Sequence, residues 1–78
     1  MKIIVDPEDI RKGLNQFEKR VKKGGCVLDR SGFTHKNFLC LLEAVQEEYN
    51  CGRKWDVVDI IEDLNDSIGL DEYGLEIR

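Results

Sequence analysis

The sequence predicts a mainly α fold, a compact three-helix domain with a small two-stranded ribbon formed by the termini. Three observations carry this reading. Apolar residues recur at helical spacing in three separate stretches, a capping residue opens each stretch, and a glycine follows each. Seventy-eight residues without linker, repeat or low-complexity tract make one domain, 1–78. A chain of this length buries only about 60–65% of its unfolded surface, so modest stability is expected.

"KIIV" (Lys2–Val5) is short and β-branched and reads as a strand. Asp6 then caps the first helix, 7–23. Pro7 suits its first position, and Glu8 and Asp9 complement the positive end of the helix dipole. Ile10, Leu14, Phe17 and Val21 fall within about 40° of one line at 100° per residue, a narrow apolar stripe. Lys12, Lys19 and Lys23 lie opposite, with Lys22 nearby. Gly24-Gly25 supplies the stop.

"CVLDRSGF" (Cys26–Phe33) reads as either a short strand and turn or a loop with inward apolar anchors. Thr34 caps the second helix, 35–50. Its main stripe is Phe38, Leu42, Val45 and Tyr49 with Leu41 beside it, while Leu39, Cys40 and Ala44 carry apolar character further round. A helix greasy on most sides is expected at the centre of the domain. The third helix, 57–68, starts after Asp56, with Asp59 in a capping-box-like place and Trp55 set to staple against Ile60. Val57, Ile61, Leu64 and Ile68 share its inner face, widened by Val58 and Ile60, and Gly69 ends it. "LEI" near the C-terminus is expected to pair with "KIIV"; a flexible tail is the alternative.

Composition narrows the functions. The net charge of −4 is unevenly spread: residues 1–30 hold eight Lys/Arg against five Asp/Glu, and residues 31–78 hold four against eleven. Such a division either neutralises itself between helices of one molecule, the favoured reading, or draws molecules together. Three cysteines in no Cys-x-x-Cys pair do not read as a disulfide framework, and small buried thiols in the reducing cytoplasm are expected. The start turns acidic after five residues, unlike a secretory signal, and no apolar run reaches the ~18–20 residues a membrane span needs.

Chemical motifs fail on their ligands. Setting Gly32 at the sixth position of a calcium loop puts Val27 at the first and Phe38 at the twelfth, where oxygen ligands are required. His35 is the only histidine and has no cysteine at zinc-finger spacing. A Cys–His nucleophile has nothing more than these isolated residues behind it. A helix-turn-helix would present the third helix to DNA, and that helix carries Asp59, Glu62, Asp63 and Asp66 outward, the wrong sign for a phosphate backbone. The opening "VDPEDIRKGLNQFEKRV" resembles the first helix of the small helical-hairpin secretion proteins carrying Trp-x-Gly. Trp55 is followed by Asp56-Val57 and the helices are too short for that hairpin, so membership is not inferred.

The expected function is therefore a small non-enzymatic binding or regulatory protein acting through protein–protein contacts. Asp59, Glu62, Asp63 and Asp66 are its candidate partner-binding residues, and a protein with a basic surface is the expected partner. Three alternatives stand beside it: an inhibitor mimicking nucleic acid with the acidic face, a nucleic-acid-binding module using Lys12, Lys19, Arg20, Lys22 and Lys23, and a structural homo-oligomer subunit. No catalytic residue, metal or cofactor is expected, and neither nucleic acid nor membrane is the expected partner.

Overall fold

The computed structural model describes residues 4–78. It contains α1 (Pro7–Lys23), β1 (Leu28–Asp29), α2 (His35–Asn50), α3 (Val57–Ser67), a 3-10 turn (Leu70–Tyr73) and β2 (Glu76–Ile77). The fold is three helices plus a small two-stranded antiparallel sheet.

Local chemistry sets the helix starts. The Asp6 carboxylate accepts from the Glu8 N–H at 2.9 Å, and Pro7 occupies the first turn, where its missing N–H costs nothing. Thr34 and Asn37 form a reciprocal capping box, with Asn37 N–H donating to Thr34 Oγ1 and Thr34 N–H to Asn37 Oδ1. The third start departs from expectation. Asp56 occupies the cap position, but its side chain makes no capping hydrogen bond. Asp59 turns to Arg20 instead of closing a box.

The helices also share the core differently from the expectation. The most densely buried helix is α3 and not α2, packed closely on α1 and also on α2. Val58, Ile60, Ile61 and Leu64 are all buried, a wider arc than one stripe, because two helices cover this one. Ile68 falls at the cap, beyond the last turn, and is exposed. On α2 the buried residues are Phe38, Leu41 and Val45, while Leu42 is only half-buried and Leu39 and Cys40 face outward. The α1 stripe of Ile10, Leu14 and Phe17 is buried as its spacing requires, with Val21 packed at its edge.

The ribbon has a different partner from the one expected. Lys2 and Ile3 of the proposed N-terminal strand lie outside the described residues; Ile4 and Val5 form no strand. Val5 is buried and donates its N–H to Gln46 Oε1 on α2 at 2.7 Å, which commits that segment to another element. β2 pairs with β1 instead, Leu28 opposite Ile77 and Asp29 opposite Glu76. The ladder continues one pair further, where Val27 and Arg78 exchange both backbone hydrogen bonds.

The stretch leading to β2 is no tail. Leu70, Tyr73 and Leu75 are buried in the core, and Leu75 N–H closes back onto the Leu70 carbonyl. Gly74 takes a left-handed conformation, φ 75°, where a Cβ would collide with the Gly32 carbonyl. Gly32 thus marks a close backbone crossing, the reason for a glycine in the loop that superficially suits calcium.

Asp29, at the ribbon, gives a pH test. The Ser31 N–H donates to its carboxylate at 2.9 Å, and this bond, helped by the Ser31 side chain and by Arg78, holds Asp29 below the usual carboxylate range. A depressed folded-state pKa contributes stability above the unfolded pKa and loses it as pH falls through the folded one. Urea midpoints measured from neutral pH into this acid range should fall less in Asp29→Asn than in the parent. Equal acid sensitivity of the two proteins would mean that the carboxylate charge contributes nothing.

Candidate functional site

The acidic residues of α3 line one shallow groove with Trp55 at its end: Asp59, Glu62, Asp63 and Asp66. The 3–4 residue spacing that aligns them is helical; their separate environments come from neighbouring elements. Arg20 reaches across from α1 and donates to Asp59 Oδ1 at 3.0 Å and Glu62 Oε2 at 2.9 Å. Arg53, in the α2–α3 connection, pairs with Asp63 at 2.7 Å and Glu48 at 3.3 Å. The hydrogen bonds that Arg20 and Arg53 donate to Asp59 and Asp63 push their already high pKa values further up. Asp66 is exposed and has no ion-pair or hydrogen-bond partner.

Three of the four candidate carboxylates are therefore partly neutralised from within. This is the intramolecular balance favoured by the charge distribution, carried by Arg20 and Arg53. Ion pairs this exposed add little to stability because water and salt screen them. They do fix where the carboxylates stand.

Trp55 is 49% exposed, so it does not serve as the buried staple expected of it. Two contacts hold it. The Arg53 guanidinium lies 4.3 Å from its ring centre, and the Tyr49 hydroxyl donates to its carbonyl at 2.6 Å. Arg53 thus touches Trp55 and Asp63 at once, linking the aromatic and acidic parts of the groove. Periodicity placed Tyr49 on the main stripe of α2 without its bond to Trp55, and Arg53 sits in a connection that periodicity does not address. The usable signal was residue type: arginine, with its planar fork, suits simultaneous stacking and carboxylate pairing better than lysine.

The basic candidates divide in the same way. Arg20 points to α3 and is engaged, while Lys12, Lys19, Lys22 and Lys23 are exposed and form no ion pair. All five arginines of the chain form internal ion pairs, and none of the described lysines does. Arginine makes the internal ion pairs of this fold, and lysine faces solvent.

The thiols correct another expectation. Cys26 is half-buried, but Cys40 and Cys51 are exposed, one on the outer side of α2 and the other at its C-cap. His35 stacks on Phe38 with ring centres 6.4 Å apart. Among the described residues no three His, Cys, Asp or Glu side chains group to hold a metal ion. No helix of the described residues is long and apolar enough to cross a membrane.

Compared with known proteins, the chain matches no family model, no curated protein and no solved structure.

Proposed function

We propose that this chain is a small non-enzymatic binding protein whose α3 groove docks a basic segment of a protein partner. One observation carries the reading: a half-exposed tryptophan, held by Arg53 and Tyr49, closes a groove lined by four carboxylates. Exposed tryptophan is costly in solution and is favoured at the energetic centres of interfaces. Carboxylates beside it supply orientation and long-range attraction for Lys and Arg. Asp59, Glu62 and Asp63 are held by internal arginines and act as a pre-set acceptor wall, whose second oxygens can take further donors. Asp66 supplies the uncommitted charge.

Trp55 is the only tryptophan, so its emission reports directly on this groove. Titration with a short arginine-rich peptide should produce a saturable change in that emission, weakening as salt shortens the reach of the charges. Asp66→Lys should weaken binding roughly ten-fold, since it replaces an attraction by a repulsion. The domain's helicity should remain, because the Asp66 side chain makes no internal hydrogen bond or ion pair. Reversing Asp59 or Asp63 is a poorer test, as it also breaks the links to Arg20 or Arg53. Binding of equal strength in Asp66→Lys would remove the groove from the interaction.

A further inference from the structure

A second groove, of the opposite character, lies between α1 and β1. It is predominantly apolar and is lined by Glu18, Lys19, Lys22, Val27 and Leu28. Val27, at 63% exposure, is the accessible apolar side chain of this groove, since Leu28 is buried. Lys19 and Lys22 can lay their aliphatic stems along this groove while their ammonium groups stay in water. Neither has an internal partner, whereas Glu18 faces Arg30 at 3.8 Å.

The two grooves complement each other. One offers a half-exposed indole among carboxylates, and the other offers the exposed Val27 side chain and two free ammonium groups. We infer that a second copy of this chain occupies the α1–β1 groove, its Trp55 seated against Val27 and its Asp63 and Asp66 facing Lys19 and Lys22. Apolar burial of the indole adds to charge pairing that would be weak alone. This inference rests on the binding reading of the α3 groove and names its occupant. The contact is heterologous, joining different patches on the two molecules, so each dimer keeps one free groove of each kind and association continues head to tail.

The test uses the full chain in sedimentation velocity across a wide dilution series, at low and at high salt. Concentration-dependent association at low salt, lost at high salt, is expected. Lys19→Glu with Lys22→Glu removes one groove, and Trp55→Ala with Asp66→Lys removes the other. Each double variant alone should remain a monomer, and mixing the two should give a one-to-one heterodimer that grows no further, because only one complementary pair of grooves survives. Circular dichroism checks that both fold; Lys19→Gln with Lys22→Gln replaces the first should it fail to. A parent that stays monomeric at every concentration overturns the inference, as does association that persists in both variants. A monomeric parent that still binds the arginine-rich peptide, with Asp66→Lys weakened, leaves the binding reading standing and removes only the second copy as occupant.

Discussion

Removing residues 70–78 is expected to unfold the domain. Leu70, Tyr73 and Leu75 are all buried, Leu75 to 1% exposure, and each such side chain contributes about 1.5–3 kcal/mol through burial. Together they supply roughly 5–9 kcal/mol, against a total stability of about 4–12 kcal/mol at 0.05–0.15 kcal/mol per residue. Truncation also strips β1 of its strand partner β2 and opens Leu28 to water. A chain ending at Gly69 should show reduced helical circular dichroism and no cooperative urea transition. Leu75→Ala is the graded version, expected to cost about 2–5 kcal/mol while leaving a folded state to measure. An unchanged midpoint in either variant would show that the segment does not support the core.

That segment also shows where sequence reasoning ran out. Helix positions follow from local rules, such as caps at Asp6 and Thr34 and a periodic stripe from Ile10 to Phe17, and those are legible in one dimension. The choice of strand partner is not. "LEI" has equal local claims on "KIIV" and on the stretch around Leu28, and the outcome turns on Val5 being held by Gln46, forty-one residues away. The denser burial of α3 than of α2 was hidden for a similar reason. Periodicity reports the width of an apolar arc, and α2 has apolar residues such as Leu39 and Cys40 that the fold leaves outside. At the candidate site the carboxylate row was visible from its spacing. Its internal neutralisation by Arg20 and Arg53 required the packing of α1 and of the α2–α3 connection against α3.

A single methyl group at Gly13 should be destabilising, although an isolated helix would welcome it. Gly13 is buried on α1 where that helix meets α3, and a Cβ there would stand 2.6 Å from Val57 Cγ1 and 3.2 Å from Ile61 Cδ1. Comfortable carbon–carbon contact is about 3.5–4.0 Å. Val57 cannot easily swing aside, because a β-branched side chain in a helix has one strongly preferred rotamer. The helices must therefore separate, loosening the packing of Leu14, Phe17 and Ile61 on either side. Two terms compete. Replacing glycine by alanine inside a helix gains about 1 kcal/mol of propensity, while overpacking a well-filled core costs about 1–3 kcal/mol. Gly13→Ala should accordingly lose up to about 2 kcal/mol, and Gly13→Leu considerably more. For a domain of this size each kcal/mol lost lowers the melting temperature by about 4–8 °C. The decisive measurement is a double-mutant cycle with Val57→Ala, which removes the obstructing methyl groups. In that background Gly13→Ala should cost less than in the parent, because the 2.6 Å contact is gone and only the 3.2 Å approaches to the residue-57 Cβ and to Ile61 Cδ1 remain against the propensity gain. A Gly13→Ala protein more stable than the parent would show that α1 and α3 do not approach this closely, and the position of Arg20 over Asp59 and Glu62 would lose its basis with it.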